Sequence, residues 1–507
     1  MAKVVLTNDS ALRTKYGERT SEIYSALETL IAADRERAIE TNVIRLDSDA
    51  EMRPFGQPIE DASDERATKS AIDSIYRAVA PDYIMVLGAG DVIPFQTLDN
   101  PSPDDGDPSV PSDLPYASEG GWSKDARDFT AVTRVVGRVP DMLGMSDPAY
   151  LVSLLGFAAN AKPLDRSEYQ SYFGISASVW EASTNLSLTT IFGSAHDLQL
   201  SPPDGWQWPS GLVGRRAHFI NCHGQQAQWR YFGQARGSRT LHIAHDSTYL
   251  PGKIATGTVV AAECCFGFDL YDPSIADAPS ICTTYLGNGA VGFFGSSTIA
   301  WGGDIKCVFA DQICQNFWKA VLDGSSLGAA VLRARQDYVK ERPFLGPFDL
   351  KTLAQFNLLG DPSVHAVSVP GADEPMPHSI AAMAVLADAQ TLAVTRGDRR
   401  RKLAISGLAL AEATAIVGGE SAKPEGRARE ALMRLAGEAG LKEPKLRSYE
   451  VEEPHLAAAH SVPGAKHQRI HVALGRLDEG SDRPLFAAVV AQEENGEVTG
   501  YQLAYSH

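Results

Sequence analysis

The sequence predicts an α/β protein with mainly parallel sheets in two subdomains, followed by a C-terminal α+β domain. Three observations predict it. Short apolar strands alternate with helix-periodic segments through residues 1–370, the pattern of parallel strands with helices on both faces. Two strands of buried type end in reactive residues followed by glycine, at His223-Gly224 and at Cys264-Cys265-Phe266-Gly267. Composition then changes across the Pro- and Gly-bearing stretch Ser368 to Pro377, from alternating elements to Ala-rich helices and a run of strands.

In order, Val4 to Thr7 reads as the first strand, and Ser21 to Ala33 as a helix burying Ile23, Leu27, Leu30 and Ile31. Val43 to Leu46 follows as a strand, 64–80 as a helix, and Tyr83 to Leu87 as a strand. Residues 97–121 form a loop rich in Pro, Asp, Ser and Gly, longer than a connector needs, which marks it as functional. Val132 to Val139 returns to strand and Ala149 to Ala161 to helix. A second set has strands at Leu186 to Phe192, Ala217 to Asn221, Gly257 to Ala262 and Ala290 to Gly295. Its helices are expected at Ser274 to Leu286, Lys306 to Leu322 and Ser326 to Tyr338. Beyond the linker, helices are expected at 379–390, 402–417 and 426–438, and strands at 468–475, 484–492 and 497–505. Asn495-Gly496 is a hairpin-turn signal between the last two. The expected units are 1–165, an N-terminal α/β subdomain; 166–370, a catalytic α/β subdomain; and 376–507, a C-terminal α+β domain with a regulatory role, folding as its own unit.

A chain of 507 residues exceeds one core, so more than one domain is the expectation. Its 46 basic and 63 acidic residues leave a net charge of −17, which argues against nucleic acid and anionic membrane as partners. No stretch supplies the roughly 20 apolar residues of a membrane span, and the first residues turn polar too soon for a signal-peptide core. A soluble, cytoplasmic protein is expected. Six cysteines without a CxxC pair fit neither a disulfide scaffold nor a zinc site.

In a parallel sheet, sites form beyond the carboxyl ends of the strands, so His223 and the cysteine pair are expected to face one crevice. A thiol nucleophile needs an imidazole to take its proton and backbone amides to hold the oxyanion. His223 meets the first need; the amides of Gly224 and Cys265 meet the second. Taken singly these residues are bland: a strand-terminal Cys is commonly a small buried hydrophobe, and His-Gly is commonly a turn. Strand alternation lets only one of Cys264 and Cys265 point at His223.

Several motifs, in order, carry a family resemblance over most of residues 1–370. Val86-Leu-Gly-Ala-Gly-Asp-Val-Ile-Pro94 resembles a strand-end Gly-Asp-x-x-x-Ile-Pro turn, and Ser112-Asp-Leu-Pro-Tyr116 a Ser-Asp-x-x-Tyr segment. Val136-Gly-Arg-Val-Pro140, His223-Gly224 with Trp229, and Phe356-Asn-Leu-Leu-Gly-Asp-Pro-Ser363 complete the set. The chain resembles the gingipain-like, bacterial branch of the caspase-fold (caspase/hemoglobinase) cysteine peptidases.

The resemblance implies a caspase-like three-layer α/β/α sandwich and a cysteine endopeptidase with a His223/Cys265 dyad. It implies no metal, no cofactor and a protein substrate; a regulatory protein partner, or control by processing, is expected because an intracellular peptidase has to be restrained. Two nucleophile spacings remain open: the gingipain Cys-x-x-Gly selects Cys264, whereas Glu-x-Cys-aromatic-Gly selects Cys265 behind Glu263, the assignment favoured here. The resemblance also places Asp113 to orient His223, although it could equally cap the turn before Pro115, and offers Glu263 and Trp301 as substrate-pocket residues. Asp104-Asp-Gly-Asp107 spaces oxygen ligands closely but lacks the closing Glu of an EF-hand. Two other readings stand beside the peptidase: a catalytically silent peptidase-fold scaffold, and a different acyl-transfer thiol enzyme.

Overall fold

Strands buried along their whole length have both faces covered, and that property organises this fold. The computed structural model describes residues 1–342, 344–368, 415–421, 423–452, 468–477 and 485–507. The first strands are β1 (Ala2–Thr7), β2 (Glu40–Arg45), β3 (Tyr83–Leu87), β4 (Gln96–Asp99), β5 (Ser109–Ser112) and β6 (Val136–Val139). Next come β7 (Tyr172–Ala177), β8 (Leu198–Ser201), β9 (Ala217–Asn221), β10 (Arg230–Gln234) and β11 (Leu241–Asp246). They are followed by β12 (Thr258–Ala262), β13 (Ala290–Ser296), β14 (Trp301–Gly302), β15 (Phe344–Leu345) and β16 (Phe356–Leu359). The last are β17 (Ala415–Ser421), β18 (Lys442–Glu452), β19 (Gln468–Arg476), β20 (Phe486–Glu494) and β21 (Glu497–Ser506).

Ten strands form one sheet, in the order β2-β1-β3-β6-β16-β13-β12-β9-β7-β8. Every neighbouring pair is parallel except β13 and β16, which run antiparallel. The two expected subdomains therefore share a single sheet whose halves run in opposite directions. β1, β3, β7, β9, β12 and β13 are buried at every residue, as strands between two helical layers must be. The helices Thr20–Glu36, Ala149–Asn160 and Ile281–Gly287 contact one another as one group, and Glu181–Phe192, Ala310–Leu322 and Leu327–Lys340 as another.

One expected strand is a helix. Leu186 to Phe192 reads as alternating and β-branched, yet it lies in the helix Glu181–Phe192, which buries Thr184, Ser187, Leu188 and Ile191 and leaves Leu186 exposed. Gly193 ends it at a left-handed φ of +80°. The expected helix from Ser274 forms over Ile281–Gly287, where Ser280 caps the first turn. The expected helix 402–417 gives way at its end to β17, and its remainder, the helix 379–390 and the linker from Val369 lie outside the described residues.

The second large sheet has the order β14-β21-β20-β19-β18-β17-β15. Asn495 and Gly496 both take positive φ in the hairpin between β20 and β21, as a two-residue turn of matching twist requires. The sheet's side chains alternate in destination. Val472, Leu474, Ala488, Val490 and Ala504 join the main core, while Ala473, Ala487, Val489 and Ala491 pack with Leu432, Leu435 and Ala436 of the helix Gly426–Glu438. Both edges are closed by strands from residues 1–370, β14 against β21 and β15 against β17. The edges of the C-terminal sheet thus find hydrogen-bond partners in residues 1–370.

The acidic loop before β5 joins the two regions. Lys351 binds Asp107 at 2.6 Å and also Asp105, and the Trp301 indole donates to Asp105. Asp104 pairs with Arg447 and Lys445 of β18. These carboxylates pair with Lys351, Arg447 and Lys445.

Candidate active site

β9 and β12 are parallel neighbours in register, with Ala262 opposite Ile220. Their carboxyl ends therefore open at one edge of the sheet. The amide of Glu263 extends the pairing, donating to the Ile220 carbonyl at 2.8 Å. Beyond it the chain turns at Phe266, which takes a left-handed φ of +53°, and the Gly267 amide closes back on the Cys264 carbonyl. A non-glycine residue held at positive φ is costly and is typical of a constrained functional turn.

This turn separates the two cysteines. Cys264 is fully buried, its thiol 3.8 Å from the carbonyl of Ile220 within the sheet. Cys265 lines a cavity of about 120 Å³ together with His223, Gly224, Gln225 and Phe266. Its sulfur accepts the Ala300 amide at 3.3 Å. Burial pushes the Cys265 thiol up to about 12, against the lowering effect of the Ala300 amide.

His223 is fixed from three sides. Its backbone pairs with Phe232 of β10, both hydrogen bonds at 2.8 Å. Its ring lies 4.3 Å from that of Trp180, centroid to centroid. Its Nε2 is 2.8 Å from Oε1 of Gln234, and the Gln234 side-chain amide donates to the Ser238 carbonyl at 2.6 Å. That second bond turns the oxygen of Gln234 toward the ring, so Nε2 carries the proton and Nδ1 is left as the basic nitrogen. Burial pushes His223 down to about 4, partly offset by Gln234.

Asp113 does not perform the expected orienting role. It forms a two-point bond with Arg138, Nη2 to Oδ1 at 2.6 Å and Nε to Oδ2 at 2.9 Å, and Arg138 also donates to the carbonyls of Gly88 and Ile93. A buried carboxylate goes to the nearest buried cation, and here that is Arg138 on β6. Trp301 also departs from expectation. Its backbone forms β14 beside the cleft, but its ring is fully buried against Phe348, 4.8 Å away, and bound to Asp105. Glu263 is fully buried, and neither carboxyl oxygen has a hydrogen-bond partner among the described residues. Burial, reinforced by nearby Asp311, pushes it well above the usual carboxyl range.

Gly224 has to be glycine: a Cβ there would lie 1.7 Å from the Cys265 carbonyl oxygen. The close approach brings its amide beside that of Cys265, and both point at one atom, the backbone oxygen of His507, at 3.4 and 2.8 Å respectively.

Gln234 and Trp180 escape the sequence reading. Trp180 could have been found, because β7 neighbours β9 and its carboxyl end therefore opens at the same edge. Gln234 carries no such signal, since it reaches His223 only through the antiparallel pairing of β10 with β11 and the bridge at Phe232.

Residues 217–367 match the family model described as Peptidase family C25. No curated protein matches the chain. Among solved structures, the complex of Porphyromonas gingivalis RgpB pro- and mature domains is similar over 72% of this chain and 80% of its own, at 11% sequence identity and a TM-score of 0.48.

Proposed function

We propose that the chain, whose residues 217–367 match the model of Peptidase family C25, is a gingipain-like cysteine peptidase that cleaves internal peptide bonds of protein substrates with Cys265 as nucleophile and His223 as base. One observation carries this reading: the amides of Gly224 and Cys265 converge on a single oxygen at the cavity that His223 and Cys265 both line. That is the arrangement an acyl-transfer oxyanion needs.

In this reading, Nδ1 of His223 takes the thiol proton as sulfur attacks the peptide carbonyl carbon. The resulting oxyanion is held by the two amides. As the carbon–nitrogen bond breaks, His223 gives the proton to the leaving amine. Water, activated by the same nitrogen, then hydrolyses the thioester and restores the thiol.

Two further parts of the proposal rest on other observations. All six cysteines are free thiols, which supports a reducing compartment such as the cytoplasm. Leu485, Ser506 and His507 line the same cavity as the dyad, which supports control of the cleft by the C-terminal sheet and by a protein partner that moves it.

A peptidyl electrophile followed by mass spectrometry, together with turnover of a peptide library, tests the assignment. Cys265→Ala is expected to lose labelling and several orders of magnitude in rate, with folding retained, while Cys264→Ala keeps both. The opposite pattern moves the nucleophile to Cys264.

A further inference from the structure

Residues 505–507 lie along the cleft wall as an extended strand. Ser506 stands opposite Trp301 and Tyr505 opposite Gly302 in antiparallel register, and the His507 amide donates to the Ala300 carbonyl at 3.0 Å. This strand ends with the His507 oxygen on the amides of Cys265 and Gly224. An extended peptide bound by backbone pairing, with a backbone oxygen in the oxyanion hole, lies as the acyl side of a substrate must lie. The side chain of His507 thus fills the position of the residue before the scissile bond.

The slot that receives it has a distinct shape. The imidazole lies flat on the Trp180 indole, centroids 3.9 Å apart and planes within 10°. The ring also lies close to Gly302, where a Cβ would be 2.2 Å from Cε1 and 2.3 Å from Nε2 of His507. The same Cβ would lie 3.1 Å from Oδ2 of Asp311, an oxygen that accepts the amides of Gly303 and Val308. Both ring nitrogens of His507, Oδ1 of Asp311 and both carboxyl oxygens of Glu263 are buried without a hydrogen-bond partner among the described residues. The close approach of the imidazole to the Trp180 ring and to Gly302 suits a small planar ring, and His507 is the ring that fills the slot.

We propose, on the reading of Cys265 as nucleophile, that the peptidase selects protein substrates with histidine before the scissile bond, and that its own Tyr505–His507 strand competes with them for the cleft. Sulfur of Cys265 bonds to the carbonyl carbon of the substrate histidine, the bond to the following amine breaks, and the thiol proton leaves with that amine through His223. Hydrolysis of the thioester then frees a peptide ending in histidine.

The test uses quenched fluorescent peptides Leu-Ala-Tyr-Ser-X-Ala-Ala, with X varied, and the full chain beside its His507→Gly variant, which keeps the backbone groups that pair and loses the side chain. Cleavage after X = His is expected to exceed that after Arg, Lys, Phe or Ala on the order of 10-fold in kcat/KM. His507→Gly is expected to raise the rate on X = His and the labelling of Cys265 by a similar factor. Gly302→Ala, which closes the slot, is expected to shift preference from His to Ala. A preference for Arg or Lys, or equal rates for the full chain and His507→Gly, overturns the proposal while leaving the nucleophile in place. If no peptide is cleaved and Cys265 stays unlabelled in both chains, the reading of the nucleophile falls and takes this proposal with it.

Discussion

Gln234 receives the Nε2 proton of His223 over 2.8 Å. A neutral amide therefore holds the imidazole, and it fixes the tautomer without the charge that a carboxylate would add. Gln234→Leu is expected to lower kcat on the order of 10-fold or more by freeing the ring, with little change in KM. Gln234→Glu should restore the hydrogen bond.

The same contact sets a pH dependence. Burial holds His223 down to about 4, so the imidazole is neutral and basic above that pH and is lost as a base as pH falls through it. A carboxylate at 234 favours the protonated ring and moves the titration upward. Histidine proton titration by NMR in the full chain and in Gln234→Glu checks both the position and the sign.

Gly224→Ala is expected to remove turnover by about 10²–10³-fold, the cost of one oxyanion donor, because its Cβ would lie 1.7 Å from the Cys265 carbonyl oxygen. Circular dichroism should show the fold retained. Near-normal turnover in a folded Gly224→Ala chain would place the oxyanion elsewhere.

Asp113→Ala tests the corrected role of that residue. Its partner Arg138 is fully buried, and removing one member of such a pair costs about 3–5 kcal/mol. Urea unfolding should shift accordingly, while turnover per folded molecule stays unchanged. A selective loss of turnover at unchanged stability would return Asp113 to the dyad.

Arg447→Glu sets like charges at the junction of the two sheets, where Asp104 now pairs with Arg447 and Lys445. Loosening it by about 1 kcal/mol, the range for partly exposed pairs, should speed alkylation of Cys265 about fivefold. High salt should narrow the difference between variant and parent.

How much of this was legible beforehand follows from the range of each interaction. Tyr83–Leu87 and Ala217–Asn221 were readable as strands because continuous apolar runs bounded by turns are local signals. His223 and Cys265 reach one cavity because β9 and β12 are parallel neighbours, and the alternating pattern already implied that both strands end at the same edge. Leu186–Phe192 was misread because its local alternation competes with a helical burial pattern that only packing selects.

The sequence by itself determined the α/β class, the two reactive strand ends and the glycine that lets them approach, since each depends on residues close together along the chain. Tertiary structure decided which polar groups meet, so that the Asp113 carboxylate went to Arg138 and the Gln234 amide to the His223 ring. It also placed His507 between Trp180 and the Cys265 amide. Those contacts join residues far apart in the chain, and their partners are fixed only when sheet order and edge pairing bring the backbones together.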